Sequence, residues 1–348
     1  MTDNEEFANG QPPVRNKSRA GLTGMILSVG LLSLFFLMAF SITKGAVKIP
    51  LSAVWDAFFN FNGNDIQHLI VIDIRLPRAI ASALVGAAFA VAGAIMQGTT
   101  RNPLADSGLM GLNAGAGFAL AMCYAFLPGL SYMRIIIASF LGAALGAALV
   151  NGIASFRLGG STPTRLVLAG AAVSMFLIAL SQGIAIYFEV AQDVMFWTVG
   201  GVSGSTWEQV GLIAPVILIA LALSVALSRS VSVLSLGEDV AKGLGANTAL
   251  IGVFCSVIVL ILAGTSVAVV GAVGFVGLVV PHFVRYLVGV DYRFIIPCSA
   301  VLGALLVVAA DLFARNLNPP FETPLGATIA LIGVPFFLHL ARRQKRAV

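Results

Sequence analysis

The chain has 348 residues, of which 59% are hydrophobic and only 10% charged, with 37 glycines and a formal charge of +5. A soluble domain carries roughly 25% charged residues, so these proportions exclude an ordinary soluble enzyme and point to an all-α polytopic membrane protein. The three cysteines, Cys123, Cys255 and Cys298, lie in or beside apolar runs without CxxC spacing, so neither a disulfide nor a metal site is expected, and the surplus of cations is accounted for by bilayer topology without nucleic acid.

Residues 1–20 are polar, contain Pro12, Pro13, Arg15, Lys17 and Arg19, and read as a disordered cytoplasmic tail; residues 21–348 read as one transmembrane domain. The apolar run at 22–40 is too long for a signal-peptide core and lacks a small-residue cleavage site, so it is taken as a first span. Ten spans follow in order, near 22–43, 79–98, 108–127, 134–154, 164–187, 209–228, 248–264, 267–279, 294–313 and 324–341. The eighth is punctuated by Gly271, Gly274, Gly277 and Pro281, which predicts a short or broken helix inside the bundle. Placing both termini in the cytoplasm puts Arg101, Arg157, Arg165, Arg229, Lys242, Arg285, Arg293 and the C-terminal basic cluster inside. Only Lys44, Lys48, Arg75, Arg78, Arg134 and Arg315 remain outside, in agreement with the positive-inside rule. Small residues at Gly111/Gly115, at Gly142/Gly146 and along 83–93 suit close helix packing.

No GxxxxGK[ST] loop is present, so ATP hydrolysis by this chain alone is not expected, and no HExxH occurs. The mid-membrane stretches carry no acidic residue, because Asp311 and Glu322 fall near outer ends; that counts against a self-powered proton- or sodium-driven carrier. Gly201-Val202-Ser203-Gly204 matches the GxSG of intramembrane serine proteases, but the topology puts Ser203 and His282 on opposite sides. His68 and His339 fall at membrane interfaces, where an amphipathic ring is comfortable without a function.

Two polar features stand out. Residues 235–247 form a polar island between apolar runs and predict a short helix from Glu238 to about Leu244. Glu238 and Asp239 sit at its positive N-terminus, Lys242 near its C-terminus, and Gly243 and Gly245 act as stop signals. At the outer side, Arg75 and Arg78 lie at i, i+3 and would present two guanidinium groups on one face, suited to clasping a partner's carboxylates.

Several motifs occur in one ordered series: Arg75-Leu76-Pro77-Arg78, Ala92-Gly93-Ala94-Ile95-Met96-Gln97, Asn102-Pro103-Leu104-Ala105-Asp106, Gly111-Leu112-Asn113-Ala114-Gly115, Leu236-Gly237-Glu238 with Leu244-Gly245, Gly274-Phe275-Val276-Gly277 through Pro281-His282, Ala310-Asp311-Leu312-Phe313-Ala314-Arg315 and Glu322-Thr323-Pro324. From about residue 20 to the C-terminus the chain resembles the FecCD permeases, type II ABC importers for iron–siderophores, haem and vitamin B12.

The resemblance implies a ten-helix type II importer permease fold in a bacterial cell membrane. It implies pairing with a second permease subunit, identical or paralogous, over two cytoplasmic ATPase subunits that hold the ATP and Mg. An extracytoplasmic binding protein would deliver substrate, and this chain would be non-catalytic with no cofactor of its own. Leu236, Gly237, Glu238, Asp239, Lys242, Leu244 and Gly245 match the ATPase-coupling helix, and Arg75, Arg78 and Arg315 match the binding-protein docking arginines. Asn102 and Leu104 match one cytoplasmic gate, and Pro163 and Thr164 fall at the other. Pro163 departs from the Ser/Thr pair expected of vitamin B12 permeases. The implied substrate is a ferric siderophore, with haem or vitamin B12 as the alternative within the family and a secondary carrier as the alternative outside it.

Overall fold

The computed structural model describes residues 19–45, 47–155, 163–199, 201–318 and 321–344. The expected tail at 1–20 and the C-terminal end of the basic cluster therefore lie almost wholly outside the described residues. Among those described, seven helices are long and apolar enough to cross a membrane: α1 (Arg19–Thr43), α3 (Ile66–Thr100), α5 (Tyr132–Ser155), α6 (Pro163–Tyr187), α8 (Trp207–Ala226), α11 (Thr248–Val270) and α13 (Tyr292–Leu317). Three shorter apolar helices complete ten: α4 (Leu112–Phe126), α12 (Val276–Val288) and α14 (Leu325–Gln344). Four further helices, α2 (Leu51–Phe59), α7 (Ala191–Val199), α9 (Ser228–Ser235) and α10 (Glu238–Gly243), occupy connections between them.

Helix α3 is the axis of the bundle and packs against α13, α11, α12 and α8. Its residues Val85, Val91 and Ile95 join Ile213, Ile217, Leu262, Ile295 and Ile296 in a fully buried core. In lipid, contact between helices rests on close packing, and here the small residues supply it. A Cβ on Gly93 would stand 2.0 Å from the Gly277 carbonyl oxygen, so α3 and α12 touch backbone to backbone. Gly115 of α4 meets Gly142 of α5 in the same way, and Gly111 meets Gly146. The two small-residue pairs expected from spacing are thus the two sides of one seam.

The seventh and eighth spans correct the sequence reading. Helix α11 continues to Val270, past the expected end at 264, and the break falls at 271–275, inside the stretch read as the eighth span. Gly271 ends α11 at φ 74°, and Phe275 opens α12 in the left-handed region at φ 68°. Pro281 does not end the helix but lies inside α12. Its missing N–H would have reached the Gly277 carbonyl one turn earlier. Gln97 of α3 donates to that carbonyl instead, at 3.1 Å, and to Leu278 O at 3.3 Å. Arg285 donates to Gln97 Oε1 at 2.8 Å, which fixes the direction of the amide.

A second feature was absent from the sequence reading. Residues Ile70–Arg75 within α3 form π-helical turns just before Pro77, where the wider spiral makes room for a residue with no N–H.

Candidate functional site

Three sites were expected, and the structure places them at the two ends of the bundle. At the first, α8 ends at Ala226, α9 follows, and Gly237 turns the chain at φ 120°, a conformation that a side chain resists, into α10. Ala241 is the buried anchor of α10, while Leu236, Val240 and Leu244 are exposed. Lys242 Nζ lies 2.8 Å from Glu238 Oε1 at i, i+4. The hydrogen bond and charge of Lys242 hold the Glu238 carboxyl below the usual carboxylate range, and Glu238 raises Lys242 in return. The island is therefore an apolar knob anchored by Ala241, with Leu236, Val240, Leu244 and its own ion pair facing outward.

Behind the knob, α9 is bound to the start of α13. Ser232 Oγ donates to Asp291 Oδ1 at 3.1 Å and accepts from Tyr292 N at 2.9 Å. Hydrogen bonds from Arg293 hold the Asp291 carboxyl below the ordinary range. A Cβ on Gly98 would press on Val231 and the Tyr292 ring, so α3, α9 and α13 meet tightly here.

The segment expected to form a gate adjoins this layer. Arg101 ends α3 in the left-handed region at φ 52°; a Cβ on Gly237 would stand 3.7 Å from its guanidinium, whose charge also acts on Glu238. Asn102 Oδ1 then accepts from Leu104 N at 3.0 Å, and Asn102 O from Ala105 N, closing a turn around Pro103. From there the chain runs back into the bundle. Gly111 packs on Gly146, which lies nine residues from the end of α5, about 13 Å at the α-helical rise.

Asp106 is carried inward on this segment, half-buried, and accepts from Gly108 N at 3.0 Å, from Ser107 Oγ at 3.2 Å and from the backbone of Phe275. The sequence reading did not weigh Asp106, which lies between the spans. The carboxylate is spent on internal donors at the starts of α4 and α12. Pro163 is the first residue of α6, where its missing N–H is harmless. The side chains of Pro163 and Thr164, and residues 156–162, lie outside the described residues.

The arginines lie at the opposite end. Arg75, Arg78 and Arg315 do converge, but they turn inward, at 6%, 6% and 8% exposure, where the sequence reading set Arg75 and Arg78 outward. The π-helical turns aim Arg75 at the carbonyls of Ile42 and Val47. Arg78 grips Asp311 through Nε at 3.0 Å and Nη2 at 2.8 Å, and pairs with Glu322 through Nη1. Arg315 pairs with Asp311 at 2.9 Å and with Ser41, and among the described residues its Nε has no hydrogen-bond partner. Desolvated charges this close persist only when paired. The chain supplies its own carboxylates, of which only Glu322, 46% exposed, reaches the surface. Glu322 also borders a cavity of about 310 Å³ lined by Gln192, Met195, Phe196 and Ser203.

Among the described residues no hydrogen bond joins Ser203 to His282, whose Nδ1 is unpartnered and whose ring packs on Phe336 at 5.5 Å. The protease geometry is not assembled.

The ordered motifs and this architecture meet in one comparison: the model of the FecCD transport family matches residues 31–343. The chain belongs to that family. Among its FecCD relatives is the iron(3+)-hydroxamate import system permease protein FhuB of Bacillus subtilis, 51% identical over 93% of this chain and 84% of that one. The hemin transport system permease protein HmuU of Yersinia pestis is 34% identical over 92% of this chain and 96% of that one. A solved metal-chelate type ABC transporter in an inward-facing conformation superposes with a TM-score of 0.80 at 28% identity, covering 92% of this chain and 99% of that one. With its apolar helices, this FecCD chain is a multi-pass membrane protein.

Three residues that join the sites escaped the sequence reading: Gln97, Ser232 and Asp291. Gln97 had a visible signal, an amide at the end of an otherwise apolar run. Ser232 and Asp291 had none, since their partnership spans 59 positions.

Proposed function

We propose that this chain is the membrane-spanning permease subunit of an ABC importer that carries ferric siderophores, hydroxamates foremost, into the cytoplasm. The observation that carries the reading is the 51% identity, over 93% of the chain, to a permease named for iron(3+)-hydroxamate import. Identity to the hemin permease is 34%. In this reading both termini are cytoplasmic, residues 21–348 form one membrane domain, and a second permease subunit, identical or paralogous, completes the pathway. ATP and Mg reside in two ATPase subunits, and a soluble binding protein delivers the chelate.

The geometry supports a division of labour. The exposed apolar residues of α10 fit a groove on an ATPase, and the Glu238–Lys242 pair keeps the helix wound. Force on α10 reaches the gate through Gly237 and Arg101, because the turn at 102–105 begins where Arg101 ends α3. Meanwhile the Ser232–Asp291 link holds α9 to the fixed end of α13. At the far end, a docking carboxylate reaches Arg78 only by taking the position of Glu322. The arginines then dock a binding protein by exchange of one carboxylate for another. A large chelate needs no dehydrating cage, so a lining of small residues suffices and affinity resides in the delivering protein.

The test is uptake of radiolabelled ferric hydroxamate and of haem in cells expressing the intact complex. Ferric hydroxamate uptake is expected with little haem uptake. Val240→Lys should lower the former at least about tenfold while leaving the amount of permease in the membrane unchanged, since a charge placed in an apolar contact leaves it uncompensated. Normal uptake by the variant overturns the role of α10, and preference for haem overturns the substrate.

A further inference from the structure

The end of α1 and the segment after it border an open cavity of about 600 Å³ lined by Phe36, Phe40, Thr43, Lys44, Lys48 and Leu51, together with Ala39, Ile49 and Pro50. No acidic residue lines it. Lys44 Nζ stands 5.1 Å from the centre of the Phe40 ring, and Lys48 is exposed. Among the described residues neither ammonium has a carboxylate partner.

The surroundings define the occupant. Met25, Val29, Leu32, Phe36 and Phe40 recur at helical spacing and are all exposed, so α1 presents one continuous apolar stripe that ends at the two lysines. Beyond them, α2 exposes Leu51, Trp55, Phe58 and Phe59, with the Trp55 and Phe59 rings 4.5 Å apart. Trp and Phe on a short helix beside the end of a span mark the depth of lipid headgroups. The cavity therefore has hydrocarbon-facing walls on one side, a headgroup-level helix on the other, and two uncompensated cations between them.

We propose that this cavity binds one anionic phospholipid, its phosphate held by Lys44 and Lys48 and its acyl chain lying along Phe40 and Phe36. Charge complementarity selects an anionic headgroup, and the stripe on α1 requires an attached tail, which inorganic phosphate lacks. The site lies on the lipid-facing side of α1 and is independent of the transport reading.

The test is native mass spectrometry of the purified full chain with phosphatidylglycerol and phosphatidylcholine of matched tails. A cationic residue near anionic headgroups is worth about a fivefold preference, so with two lysines the wild type should retain phosphatidylglycerol over phosphatidylcholine by about twenty-five-fold. The double variant Lys44→Gln/Lys48→Gln should fall to near parity, with helical circular dichroism unchanged, while Lys242→Gln keeps the wild-type ratio. If the double variant does not fold, Lys48→Gln alone should lose about fivefold. Equal retention of the two lipids by the wild type overturns the proposal. So does an unchanged preference in the lysine variants, an equal loss in Lys242→Gln, or displacement of the lipid by millimolar inorganic phosphate.

Discussion

Gln97 shows how one polar residue can decide whether a broken helix is tolerated at membrane depth. Pro281 leaves the Gly277 carbonyl without its helical donor, and a backbone group freed at membrane depth must be satisfied from within the bundle. The Gln97 amide fills the gap, and Arg285 holds it the right way round. Gln97→Leu should therefore destabilise the purified protein by about 1–3 kcal/mol, the cost of a buried polar group left unmatched. The measurement is thermal unfolding in detergent, and Gln97→Leu/Pro281→Ala should regain part of the loss because the alanine restores the helical donor. An equal loss in the double variant would show that the carbonyl is not what Gln97 serves. At this scale the sequence revealed residue types better than directions. Arg75, Arg78 and Arg315 were recognisable as a charged constellation, but whether a guanidinium points to a partner or to its own chain depends on Asp311 and Glu322, more than two hundred positions away from Arg78.

Among elements, the seam between α4 and α5 makes the sharpest case. A Cβ on Gly115 would stand 2.1 Å from the Gly142 carbonyl oxygen, whereas a Cβ on Gly117, one half-turn away on the same helix, would meet nothing within 4 Å. Gly115→Ala forces backbone from backbone and should cost about 1–3 kcal/mol, as overpacking does. Gly117→Ala should be neutral or stabilising by up to about 1 kcal/mol from helix propensity alone. The comparison of the two melting temperatures isolates packing from propensity, and an equal effect of the two alanines would remove the seam.

The seam was legible because small residues at a spacing of four have few uses in a membrane helix. The break at 271–275 was legible as irregularity but misplaced, because glycine spacing signals that a helix is weak without saying which glycine takes a positive φ. The π-helical turns before Pro77 were not legible, since a proline that ends one helix and a proline that widens one look alike in sequence. Helices α2, α7 and α9 were missed for a different reason: each is short and lies in a connection, and α7 and α9 pack on helices distant in the chain, while α2 packs on the flanking α1 and α3.

For the molecule as a whole, the two ends are built for different tasks. One carries an exposed apolar knob that lies beside Arg101, at the head of a turn that leads back into the bundle, so a push on α10 has a short route to the segment at 102–105. The other is locked by Arg78 and Arg315 against Asp311 and Glu322, with Arg75 on backbone carbonyls and Glu322 the one of the two carboxylates at the surface. Between them the backbone contacts of α3 with α12 and of α4 with α5 leave little compliance, and close-packed interfaces switch between discrete arrangements more readily than they bend. Such a body can be switched by partners at its ends, but within it no phosphate-binding loop supplies energy, and the carboxylates of Asp106 and Asp311 are committed to internal donors. A polypeptide of this kind can gate a pathway without driving one. Reconstituted alone in liposomes, it should accumulate no ferric hydroxamate, with or without ATP or an ion gradient. Adding its ATPase subunits, its binding protein and ATP should produce accumulation that stops when ATP is exhausted. Uphill uptake by the lone chain on a proton or sodium gradient would show an energy source inside the bundle and would end the reading of a partner-driven gate.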